Sequence, residues 1–134
     1  EENTPLDFGS VFDLLFGEKP ICPGFGKPFQ SVIMDRPIRE KTKTDCYVCC
    51  VELMQRYSPK DKAEARRIFA EKNRSYGGLW RGSGLCGSSI EVYQKAARLR
   101  ETPGNRDAQL DLYNYLTISF LNIHLGYIYP GDNK

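Results

Sequence analysis

"YLTISFLNIHLGYIY", Tyr115–Tyr129, decides whether the chain is wholly helical or mixed. Its β-branched and aromatic residues suit a strand, which would end the preceding helix near Tyr115. Extended back to Asp107, the segment repeats Leu110, Tyr113, Leu116, Thr117, Phe120, Leu121 and His124 at helical spacing, and Ile118 and Ile123 widen the stripe. That pattern is the apolar face of a helix over 107–124, broad enough to be the most buried element. The helical reading is preferred, with a short strand within 118–129 as the alternative.

The segments upstream also read as helices. In "DCYVCCVELMQRY" (45–57), Cys46, Cys50, Leu53, Met54 and Tyr57 fall on one helical face, with Cys49 beside it. Ser58-Pro59 ends that helix and opens the next: Ser is a good N-cap, Pro is favoured at the first helical position, and Asp61 suits the positive end. The helix over 59–74 has a thin apolar set, Ala65, Ile68 and Phe69, and charges of both signs elsewhere, which reads as a solvated face. A Gly-rich loop containing Trp80 follows. Ser88 and Glu91 then form the Ser-x-x-Glu pattern of a capping box, which predicts a helix over 89–101 with Ile90, Tyr93, Ala96, Ala97 and Leu99 inward. "TPGN" (102–105) is a turn.

Residues 1–43 differ. They hold five of the eight prolines, and "PICPGFGKPF" excludes both a helix and a central strand. One short helix at 11–16 and one short strand at 31–34 fit the pattern. The expectation is a single, mainly α domain of four to five helices over 44–134, with an irregular Pro-rich N-terminal arm (1–43) packed on it and room for one or two short strands.

A chain of 134 residues with 40% hydrophobic and 27% charged residues has the composition of an ordinary globular domain. Its net charge of +2 gives no field strong enough to argue for nucleic acid or an anionic membrane, and its apolar runs are too short to span a bilayer. Five cysteines, an odd number, argue against a complete disulfide framework and favour an intracellular protein over a secreted one. A bridge from Cys22 to Cys46, Cys49 or Cys50 would pin the arm. Asn73-Arg74-Ser75 matches the N-glycosylation triplet, a pattern that chance often produces.

Candidate chemistry gathers at "RGSGLCGSS" (81–89). Gly82, Gly84 and Gly87 spell G-x-G-x-x-G, and Arg81 adds a charge beside a helix N-terminus, a setting for an anion. No buried strand precedes the motif, so a dinucleotide site is not expected. Cys86 near a helix start, with His124 as base and Asp132 or Asn122 as orienting group, would suit a cysteine-dependent hydrolase or acyltransferase. Cys46-x-x-Cys49 with Cys86 and His124 is a conceivable zinc set, set against the commoner role of Cys as a small apolar core residue. Lys and Arg at 36–43 and 66–81, interleaved with Tyr76 and Trp80, would suit nucleic acid, but acidic residues interrupt both clusters.

No catalytic constellation stands out, and no cofactor is expected unless zinc. The preferred reading is a non-enzymatic binding or assembly module. It would contact a protein partner, anionic groups included, through loop 76–89, with Tyr76, Trp80, Arg81, Gly82, Gly84, Gly87 and Ser88 at the surface. The enzyme, nucleic-acid and zinc readings stand as alternatives.

Overall fold

The computed structural model describes residues 40–77 and 81–133, without the side chains of Thr42 and Tyr76. Four helices make up 80% of it: α1 (Glu40–Gln55), α2 (Pro59–Tyr76), α3 (Gly84–Glu101) and α4 (Arg106–Leu125). There is no strand among the described residues, and residues 118–125 continue α4. The arm, the helix expected at 11–16 and the strand expected at 31–34 lie outside the described residues.

Each of the first three helices packs chiefly on α4. α1 runs antiparallel to it: Tyr47 meets Phe120 edge-on, Met54 Sδ lies 3.9 Å from Thr117 Oγ1, and the Tyr57 ring meets Tyr113. The Tyr57 hydroxyl donates to the Gln109 carbonyl at 3.1 Å, and burial pushes that phenol far above its ordinary pKa, so the donor stays protonated. α3 is also antiparallel, from Ser88 beside Ser119 to Lys95 beside Asp111. α2 meets α4 at three points. Arg106 binds Asp61 and Glu64, Asn114 Nδ2 donates to the Ala65 carbonyl at 3.0 Å, and Lys72 reaches Asp111. Ala65 is fully buried there, where a small side chain lets the two backbones approach.

The core is built from Cys46, Cys49, Cys50 and Leu53 of α1, Tyr57 just beyond it, Val92, Ala96 and Leu99 of α3, and Leu110, Leu112, Tyr113 and Leu116 of α4. The α1 and α4 faces agree with the sequence spacing. Val92, rather than Ile90 or Tyr93, fills the centre of α3's inner face.

The helix ends show what local sequence controls. At α2, Ser58 Oγ accepts from the Asp61 amide, Asp61 accepts from the Ser58 amide, and Pro59 opens the helix, as the spacing predicts. At α4, Asn105 caps the start by accepting from the Ala108 amide. Gly126, left-handed at φ 80°, ends it with Gly126 N–H donating to Ile123 and Tyr127 N–H to Asn122, a Schellman arrangement.

Two starts differ from expectation. α1 begins at Glu40, so residues 40–43 are helix rather than arm. They carry ion pairs, Lys43–Glu40 and Lys41–Asp45, in place of an apolar repeat. α3 begins at Gly84, so Ser88 is not an N-cap and Ser88 and Glu91 form no capping box. Ser88 lies in the second turn, where its hydroxyl donates to the Leu85 carbonyl and accepts from Ser119.

Arg106 also sets an acid response. Burial alone would raise the Asp61 carboxyl. The hydrogen bond from Arg106 and those from Ser58 outweigh it and hold the pKa below the ordinary range. The linked stability is therefore present above the unfolded value, about 3.9, and is lost as pH falls through the lower folded value. Urea unfolding between pH 6 and pH 2 should show a smaller acid loss for Asp61→Asn than for the wild type. At pH 7, Arg106→Gln should cost up to about 1 kcal/mol, the range of a half-exposed ion pair. Equal acid losses in the wild type and Asp61→Asn would remove this role.

Candidate functional site

The G-x-G-x-x-G stretch has a tertiary explanation. The first amides of α3 are capped by the chain's own later residues: Leu85 N–H donates to the Tyr127 carbonyl at 2.9 Å and Cys86 N–H to that of Ile128 at 3.0 Å. Ser83 at the N-cap makes no side-chain capping bond. Gly84 permits this clamp in two ways. Its φ of +64° is left-handed, and a Cβ there would meet the backbone of Tyr127 and Ile128 at 2.8 Å. At Gly87 the Ser83 side chain occupies the space a Cβ would need. Gly82 accepts at its carbonyl from Gly131 N–H, and Asp132 Oδ2 accepts from the Ile128 and Tyr129 amides. Leu85 and Ile128 bury each other beneath this turn. The donors that an anion cradle would use at Leu85 and Cys86 therefore already serve the fold.

On the other side of α3's start lies a half-open cleft of about 510 Å³, between α2, α3 and α4. Its apolar surface comes from Phe69, Ile90, Tyr115 and Ile118. Gly77, Ser83, Gly87 and Ser88 line its loop side, and Lys72, Asn73, Gly77 and Ser83 on the lining are exposed.

The charges of the cleft come from α2, α3 and α4. Asp111 Oδ1 and Oδ2 face Lys72 and Lys95, each at 3.7 Å, so this carboxylate is bracketed by two cations. Glu91, also lining the cleft and half-buried, has no such ion pair among the described residues. Burial raises the Tyr115 phenol pKa, and the negative charges of Glu91 and Asp111 raise it further. The cleft is thus an apolar slot in which Glu91, a carboxylate with no ion pair among the described residues, lies beside a neutral phenol.

The other predicted positions fall as follows. Trp80 and Cys22 lie outside the described residues, as does the Tyr76 side chain; Arg81 is exposed just before α3. Cys86 is 4% exposed in the first turn of α3. His124 is exposed in the last turn of α4, its ring 6.4 Å from that of Phe120. Cys46 and Cys49 are buried on the core face of α1. Among the described residues no group of three or more His, Cys, Asp or Glu is arranged to hold a metal ion, so Cys46, Cys49, Cys86 and His124 are not gathered into a site. Of the suggested orienting groups, Asn122 is fully buried and Asp132 is engaged with the tail amides. None of the four described helices is long and apolar enough to cross a membrane.

Sequence reading missed Asp111 and Tyr115 as cleft residues and took Glu91 for a cap. One signal was present: Asp111 is a lone charge between Leu110 and Leu112 in the most apolar helix, and Tyr115 follows one turn later. Comparison with protein-family models, curated proteins and solved structures finds no match.

Two outcomes follow from the clamp. Gly84→Ala should destabilise the protein by about 1–3 kcal/mol in urea unfolding, because strain and a backbone collision coincide. Gly104→Ala, in the open turn between α3 and α4, should fall within about 0.5 kcal/mol of wild type. Cys86 should react with a thiol reagent at pH 7 more slowly in the native protein than in the urea-unfolded one. Faster native labelling would speak for a reactive thiolate instead.

Proposed function

We propose that this protein is a non-enzymatic binding module that receives a segment of a protein partner in the cleft between α2, α3 and α4, at the end lined by Gly77, Ser83, Gly87 and Ser88 of the expected contact stretch. The observation that carries the reading is the cleft itself: an apolar floor of Phe69, Ile90, Tyr115 and Ile118, open along an exposed rim. A cleft with an exposed rim leaves one side of its occupant in solvent, which suits a side chain whose parent protein covers the rest. Aromatic and aliphatic groups in the floor with polar groups at the rim follow the arrangement of interface centres. Gly77 and Gly87 line the cleft without presenting a side chain to it.

The test is selection from a displayed library of random linear peptides, followed by amide NMR with the selected peptides. Binders should shift the resonances of Gly87, Ile90, Tyr115 and Ile118, and Ile90→Asp should abolish their binding while Arg100→Ala, on an exposed position far along α3, leaves it intact. Recovery of no binder, or of binders that shift only other residues, would end this reading.

A further inference from the structure

Resting on the binding reading above, we propose that the cleft is specific for an arginine of the partner, its guanidinium paired with Glu91 and laid against the Tyr115 ring, with an adjacent apolar side chain entering between Phe69, Ile90 and Ile118. Charge complementarity selects this occupant. Of the two carboxylates in the cleft, Asp111 is already bracketed by Lys72 and Lys95, whereas Glu91 has no ion pair among the described residues. A half-buried carboxylate beside apolar surface is poorly solvated and gains from a cation that is itself weakly hydrated, as a guanidinium is.

The neighbouring groups favour arginine over lysine. Tyr115 lines the same cleft within electrostatic reach of Glu91, so a planar cation can pair with the carboxylate by its edge while its face rests on the ring. The point charge of a lysine ammonium can make the ion pair but not the stack. Lys72 and Lys95 are both turned to Asp111, which leaves Glu91 as the carboxylate of the cleft to which a partner's cation can pair. An anionic occupant would meet Glu91 directly.

The experiment is a double-mutant cycle between the protein and a peptide from the displayed library. Glu91→Gln removes the charge and keeps the shape; Glu91 makes no described hydrogen bond or ion pair, so the variant should melt within a few degrees of wild type. Citrulline in place of the peptide's arginine does the same on the other side. Peptides selected by the wild type should carry arginine next to an apolar residue. Either change alone should weaken binding by about tenfold, and both together little further, because the second change removes a partner already lost. Tyr115→Leu should lower the preference for arginine over lysine at that position. If peptides bind in the cleft without a basic residue, or the two changes weaken binding independently, the arginine assignment is overturned and the binding module stands. If no peptide binds in the cleft, both fall.

Discussion

α4 must bury itself on three sides, and that constraint organises everything else. α1 and α3 lie antiparallel along it, and α2 is tied to it at Arg106, Asn114 and Asp111. The helix answers with a different chemistry toward each neighbour. Toward α1 it presents Tyr113, Leu116, Thr117 and Phe120; toward α3, Ser119; toward α2, Arg106 and Asn114. β-branched Thr117 and Ile118 sit in it without cost enough to break it, since burial outweighs propensity and the Thr117 hydroxyl returns to the Tyr113 carbonyl.

The same arrangement creates the cleft. Three helices converging on a fourth cannot close every gap, and between α2 and α3 the side chains near Asp111 are partly polar. Paired with two lysines, Asp111 lies at the edge of a cleft also lined by Phe69, Ile90 and Ile118. Gly77 and Gly87 add lining without side chains.

What was legible in the sequence was what depends on residues close together. The periodicity of α4 and the inner face of α1 could be read, as could the Ser58-Pro59-Asp61 start of α2, because spacing and capping are local. The clasp of Arg106 on Asp61 and Glu64 was hidden, because charges of both signs on α2 look like an ordinary wet face until α4 is placed beside them. The opening of α1 escaped notice because Glu40–Thr44 offers ion pairs and no apolar repeat. The start of α3 was misread for a stronger reason: Ser88 and Glu91 have the right spacing for a cap, yet the true caps are main-chain carbonyls from another part of the chain, which have no sequence signature. The cleft was illegible on the same ground, since Glu91, Asp111 and Phe69 come from three helices.

The clamp at Gly84 also bears on the order of events as the chain is made. Synthesis delivers the first turn of α3 well before Tyr127 and Ile128, whose carbonyls complete it. Until they emerge, two amide donors, Leu85 and the left-handed glycine wait without partners, and that end of the helix has only solvent to hold it. α1 and α2 need no such delay at their junction, where Ser58 and Asp61 cap locally. The first turn of α3 therefore acquires its final shape only when the tail folds back.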